Sequence, residues 1–277
     1  MQWMDMRKAL AGLCGVVLAA CGGGGGDGGG VTDSKRYDNQ PQLTLPAATV
    51  LCESQGMTPK IVNGTACVAP EASPVVLLVI QEPSGATSAC SGVLVTPTAV
   101  VTAAHCVEGK ISRIVAAQWK GDGTADPIDA SSWVPHPGYS YTDGRLLNDL
   151  GVVHLRSPLS NPTMPVLTSQ RLSTGQSAYI SGWGRPSYEL SVGLVRVDYV
   201  EDSRAGFVFD EKLSNTCMGD SGGPMYRVIN GRAGVVGVTS GGTSANCAVG
   251  EWSVFTNLQA GSMIDFLRGQ IPGLPEM

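Results

Sequence analysis

Residues 219–224 read Gly-Asp-Ser-Gly-Gly-Pro, and residues 102–106 read Thr-Ala-Ala-His-Cys. A serine hydroxyl is a poor nucleophile until a base takes its proton. An imidazole can do this near neutral pH, where it titrates. Glycines beside Ser221 let backbone N–H groups, those of Gly219 and Ser221, turn toward one point, as an oxyanion requires. A third segment, Asn148-Asp149-Leu150, places a carboxylate just before an apolar run. A buried carboxylate fixes the tautomer of an imidazole and supports the charge it gains. Taken singly, the segments read as a hydrogen-bonded histidine, a strand-end turn and a loop. Taken together, in the order His105, Asp149, Ser221, they read as an acyl-transfer site.

Outward from these segments, the chain after Ile61 alternates short apolar runs with turn residues. Residues 74–80 read PVVLLVI, 91–102 SGVLVTPTAVVT and 150–155 LGVVHL. Residues 178–181 read AYIS, 194–200 LVRVDYV and 234–239 GVVGVT. Short, valine-rich runs bounded by Gly, Pro, Ser and Asn predict strands of an all-β sandwich or barrel. Met263, Ile264 and Leu267 recur at helical spacing beside Phe266, with Pro272 beyond, and predict one terminal helix.

As a pair, the TAAHC and GDSGGP segments are specific, and the chain resembles the chymotrypsin-like (trypsin-family) serine proteases from roughly Ile61 to Gln270. The chain order His, Asp, Ser matches that family and differs from subtilisin and the α/β-hydrolases. The resemblance implies two packed six-stranded antiparallel β-barrels with a C-terminal helix and the site in the cleft between the barrels. His105 and Asp149 would come from the first barrel and Ser221 from the second. It implies polypeptide substrates and an acyl-enzyme intermediate, with no cofactor and no metal. Ile61-Val62-Asn63-Gly64 resembles the new N-terminus of an activated zymogen, so cleavage is expected after Lys60, and the Ile61 ammonium would pair with Asp220. Ser181-Gly182-Trp183-Gly184 resembles the family segment that opens the second barrel. Disulfides Cys90–Cys106 and Cys217–Cys247 are implied in the same way. Ser240 matches the serine that bonds the triad aspartate and lines the substrate strand.

Specificity is read from Asn215, six residues before the nucleophile, with Gly242 and Ser253 on the pocket walls. Asn215 stands where a trypsin-like pocket has aspartate, so an Arg or Lys side chain would be desolvated without an ion-pair partner. The expected preference is for an uncharged residue, aromatic or Leu- or Met-like. Lys60 would then need another protease for activation. The chain also departs from the family. Asp149 to Ser221 spans 72 residues, short for this pattern, and Cys67 lacks its usual partner in the second barrel. Cys52–Cys67 is expected instead, tying the pro-segment to the enzyme body.

Net charge −5 and a pI near 5.2 exclude the basic footprint of a nucleic-acid binder. Arg7 and Lys8 followed by the apolar run Ala9–Ala20 read as a secretory signal, too short to span a bilayer. Leu18-Ala19-Ala20-Cys21 resembles the lipobox of bacterial lipoproteins, in which the cysteine is lipidated; a plain cleavage site with Cys21 incidental is the alternative. Residues 22–30 hold eight glycines and read as a flexible tether. The expected organisation is a signal at 1–20, a tether at 21–35, a pro-segment at 36–60 and a protease domain at 61–277. It implies a monomer exported to the bacterial outer membrane, or periplasmic or extracellular if released. Six cysteines after Cys21 suggest three disulfides in an oxidising compartment, among 15 possible pairings, and the lack of a C-x-x-C pair disfavours zinc.

Two other functions share these motifs. A catalytically inactive, protease-like surface lipoprotein would be expected to lack a triad member, and all three are present. An esterase could use the same triad, but its G-x-S-x-G is replaced here by GDSGG. His136 and His154 read as structural, and the aspartates of 122–129 as a solvated loop without EF-hand spacing.

Overall fold

Short strands separated by tight turns pair largely with their neighbours in sequence, and among the described residues two large sheets and one small hairpin result. The computed structural model describes residues 63–67, 70–119, 124–185, 189–243 and 246–277. All belong to one unit, Thr44–Met277. The expectations for Cys21, Cys52, Lys60 and Ile61 lie outside the described residues.

The first sheet is a closed barrel. It contains β2 (Val75–Gln81), β3 (Thr87–Thr96), β4 (Ala99–Thr102), β5 (Arg113–Trp119), β6 (Ala125–Pro135) and β9 (Gly151–Leu155), in the order β2-β3-β4-β9-β6-β5. The run at 91–102 breaks at Pro97–Thr98 into β3 and β4, because proline cannot donate to a ladder. Alternate residues of each strand point inward. Val76, Leu78 and Ile80 of β2 meet Leu94, Val100, Ile114 and Val153 in one core. Val75 and Leu77, on the other face, are also buried, because the second sheet packs over β2. This two-sided burial explains the unbroken PVVLLVI run. Strand β6 has no such run, since much of it faces solvent.

The second sheet holds β1 (Thr65–Ala66), β10 (Ser177–Gly182), β11 (Ser191–Arg196), β12 (Tyr199–Val200), β13 (Arg204–Val208), β14 (Pro224–Ile229), β15 (Arg232–Gly242) and β16 (Trp252–Asn257). Its order is β1-β11-β10-β14-β15-β16-β13-β12. The fold is therefore all-β and chymotrypsin-like, with one refinement. The six strands from β11 to β13 do not close into a second barrel. The outer edge of β11 is taken by β1, and the Leu194 carbonyl there accepts from Ser214 N–H, so that edge is not offered to β13. The core of this sheet includes Ile180, Val195, Phe207, Met225, Val236 and Phe255.

A small hairpin, β7 (Ser140–Thr142) and β8 (Arg145–Leu147), precedes β9. Among the described residues the α-helices are α1 (Ala104–Val107) and α2 (Gly261–Gln270). Met263, Ile264 and Leu267 are the buried positions of α2. No described helix is long and apolar enough to cross a membrane.

Candidate active site

Strand β4 ends at Thr102 and the chain turns at once into α1. Ala103 and Ala104 are fully buried, so this turn packs tightly against the barrel. The Cys90–Cys106 disulfide ties it to β3. His105 is thereby held at the edge of the barrel, with 26 % of its side chain exposed.

Asp149 lies in the turn before β9. Asn148 adopts φ +50°, a left-handed conformation that asparagine tolerates, and its Nδ2 donates to the Gly138 carbonyl at 2.8 Å. The turn presents Asp149, only 1 % exposed, to His105. Asp149 Oδ1 accepts from the His105 backbone N–H at 2.9 Å. Oδ2 meets His105 Nδ1 at 2.8 Å and accepts from Ser240 Oγ at 2.6 Å. Thr256 Oγ1 donates to the Asp149 carbonyl at 2.8 Å. A carboxylate only accepts, so the imidazole proton sits on Nδ1 and Nε2 keeps its lone pair.

Ser221 comes from the loop before β14, seated against the first barrel. Its carbonyl accepts from Ser91 N–H at 2.8 Å, and Cys106 Sγ, next to His105, lies 3.9 Å away. Asp220 N–H donates to Cys217, Gly222 N–H to Thr239 and Gly223 N–H to Asp220. The N–H groups of Gly219 and Ser221 have no acceptor among the described residues. With Gly219 at φ +98°, this loop can offer two donors to a developing oxyanion.

Beside Ser221 opens a cavity of about 360 Å³. Asn215, Gly242 and Ser253 line it together, as do Gly241, Thr216 and Glu251, which the sequence did not single out. Ser253 Oγ donates to Asn215 Oδ1 at 2.7 Å and meets Thr216 Oγ1 at 2.7 Å. The Cys217–Cys247 disulfide joins two of the lining segments. Cys67 is disulfide-bonded as well, and the other described cysteines pair among themselves. Cys90, His105 and Cys106 bring ligand-type atoms within 4.8 Å of one another, but the two sulfurs are bonded together and are not thiolates.

Residues 61–265 match the family model described as Trypsin. The chain belongs to the trypsin family. It is 30% identical over 200 residues to chymotrypsin-like elastase family member 1 of Homo sapiens, covering 62% of this chain and 77% of that protein. It is 28% identical over 273 residues to phenoloxidase-activating enzyme 1 of Spodoptera litura, covering 83% and 72%. The solved structure of HL collagenase superposes with a TM-score of 0.63 over 75% of this chain and 97% of that one; at 21% identity this is a likeness of fold. The protein is a serine-type endopeptidase.

Two residues of this protease escaped the sequence reading because their role is tertiary. Ser91 Oγ accepts from Trp183 N–H at 2.9 Å and donates to the Gly219 carbonyl at 2.9 Å. Thr102 Oγ1 donates to the Ser91 carbonyl at 2.8 Å. They clamp the serine loop to the first barrel, and in sequence their only signal is adjacency to Cys90 and to the Ala-Ala-His-Cys turn. Gly222 lies at the point of closest approach. It has φ +78°, and a Cβ there would overlap Thr102 Oγ1 and the Ser91 carbonyl. Gly222→Ala is expected to destabilise the protease by about 3–5 kcal/mol, read as a lowered urea midpoint at unchanged m-value.

Asp220 is fully buried. Its oxygens accept from Gly184 N–H at 2.9 Å and Cys217 N–H at 2.8 Å. Desolvation pushes its carboxyl up to about 7, against the opposing pull of those two backbone donors. A carboxyl raised on folding holds its proton more tightly in the native than in the unfolded chain. Its contribution is therefore favourable below about pH 4 and is lost as pH rises through about 7. The protease should lose on the order of 3 kcal/mol of stability from this group between pH 5 and pH 8. Denaturation at the two pH values checks this, and Asp220→Asn should flatten the slope.

Proposed function

We propose that Ser221 is the nucleophile of peptide hydrolysis, His105 its general base and Asp149 the carboxylate that orients the base. Ser221 Oγ attacks the scissile carbonyl carbon as its proton passes to His105 Nε2. The oxyanion is held by the N–H groups of Gly219 and Ser221. The imidazolium returns the proton to the leaving amine, giving the acyl-enzyme. A water activated by the same base then releases the acid. The observation that carries this reading is the buried Asp149 carboxylate, bonded twice to His105 and once to Ser240. A fluorophosphonate should label the protein at Ser221, one per active site, alongside casein digestion. Labelling elsewhere, or casein left intact by labelled-competent enzyme, would sink the assignment.

The cavity beside Ser221 is read as the P1 pocket, with Asn215 at its floor and Gly242 and Ser253 on its walls. No Lys or Arg and only one carboxylate residue, Glu251, are among the lining residues, and the floor carries no charge. This favours an uncharged P1 side chain. Cleavage after Lys60 is read as the activating step, by a second protease, because the pocket lacks the aspartate that would receive Lys60. The freed Ile61 ammonium would supply the buried Asp220 carboxyl with a counter-charge, reversing the pH trend above.

The disulfides fit an exported protein. The lipobox-like segment at Cys21 supports attachment to a bacterial outer membrane through lipid, with 21–35 as tether and 36–60 as pro-segment. Cys52 is read as the partner of Cys67. Activation would then leave the enzyme attached to its anchor. On gels of the Lys60-cleaved protein, the two pieces should separate only with reductant; separation without it would refute the tether.

A further inference from the structure

We infer that the pocket floor is matched to a hydroxyl, so that the protease selects tyrosine over phenylalanine at P1 through the Thr216–Ser253–Asn215 hydrogen-bond chain. The inference rests on the cavity beside Ser221 being the P1 pocket.

A serine hydroxyl carries one proton. That of Ser253 is given to Asn215 Oδ1 at 2.7 Å. Its second contact, with Thr216 Oγ1 at 2.7 Å, must then be filled by the threonine proton. The chain of donation runs one way, from Thr216 to Ser253 to Asn215. This direction has two consequences. The Asn215 amide has its oxygen occupied, no described residue accepts from its two N–H donors, and Asn215 lines the cavity. Thr216 Oγ1 has spent its proton and keeps lone pairs. One floor therefore offers a donor and an acceptor near each other.

All three groups are already removed from bulk water: Asn215 is 1 % exposed, Ser253 3 % and Thr216 9 %. A phenyl ring filling the cavity would cover the amide donors and the threonine oxygen and offer them no partner, and buried polar groups left unpaired are costly. A phenol replaces both partners, since its oxygen accepts from the amide and its proton goes to Thr216. A lysine ammonium is donor-only: it can bond Thr216 Oγ1 but opposes the Asn215 amide donors. A carboxylate meets Glu251, which also lines the cavity, and finds no cation there. A site that hydrogen-bonds a substrate hydroxyl rejects the analogue lacking it more strongly than an apolar site can.

The test measures kcat/KM per titrated active site on peptides that differ only at P1. Tyrosine is expected to exceed phenylalanine by about tenfold. Thr216→Val, which keeps the shape, and Ser253→Ala, which removes the middle of the chain, should each bring the ratio toward one. A wild-type ratio of one or below, with Arg and Lys poorly cleaved, overturns this inference and leaves the uncharged pocket standing. A ratio unchanged in both variants also overturns it. Dominant cleavage after Arg or Lys overturns the uncharged pocket and this inference together.

Discussion

Replacing Ser221 with alanine is expected to lower kcat on a peptide substrate by roughly 10⁶-fold. The change removes one oxygen and nothing that holds the loop. The structural contacts of residue 221 are made by its main chain, through the carbonyl that accepts from Ser91 N–H. Neighbouring turns are closed by backbone bonds from Asp220, Gly222 and Gly223. The variant should therefore unfold at nearly the same denaturant concentration as the wild type and lose fluorophosphonate labelling completely. Some rate above that of water should survive, because the N–H donors of residues 219 and 221 belong to the backbone. Retention of more than about one part in a thousand of kcat would place the nucleophile elsewhere.

Asp149→Asn should cost on the order of 10⁴ in kcat near pH 7, the scale of this change in a triad of this kind. The geometry allows the amide only two placements. With its oxygen kept toward the His105 backbone N–H, its NH₂ faces His105 Nδ1 and Ser240 Oγ. Nδ1 must then accept, the ring proton moves to Nε2, and the lone pair that would take the Ser221 proton is gone. With the amide reversed, its NH₂ faces the His105 backbone N–H, donor against donor, in a site that is 1 % exposed. The second placement carries a stability penalty of about 1–3 kcal/mol, which favours the first. The loss should fall mainly on kcat, with KM moved far less, because Asp149 touches His105 and not the substrate cavity. A loss confined to KM would contradict an orienting role.

The strands most legible in the sequence are those buried on both faces or at their turns. Strand β2 is the clearest, since both its faces are covered. Strands β1, β5, β6, β7, β8, β13, β14 and β16 fall outside the apolar runs of the sequence. In β6 the half that faces solvent dilutes the apolar pattern, and Asp129 is taken up by Arg113 at the surface. The helix at the C-terminus was legible because Met263, Ile264 and Leu267 keep helical spacing. The expected second barrel reads as one only if β11 and β13 meet, and the local sequence holds nothing that says Ser214 will occupy the β11 edge first. His136 was read as structural, and its Nδ1 accepts from Gly138 N–H at 3.0 Å while its ring meets Phe266 of α2 at 4.9 Å.

What the sequence determined by itself is chemical identity and order: a histidine, an aspartate and a serine in motifs specific enough to name a family, and an asparagine six residues before the serine. Such facts reside in single residues and their immediate neighbours. What only the tertiary structure decided is which atoms face which. The GDSGGP segment at 219–224 does not reveal that Ser91 and Thr102 clamp it. Nor does it reveal which of its N–H groups are left without an acceptor among the described residues, or that hydrogen bonds join Thr216, Ser253 and Asn215. Hydrogen bonds are short and directional, so their partners are set by the meeting of two sheets whose contributing residues lie up to 130 positions apart (Ser91 and Ser221).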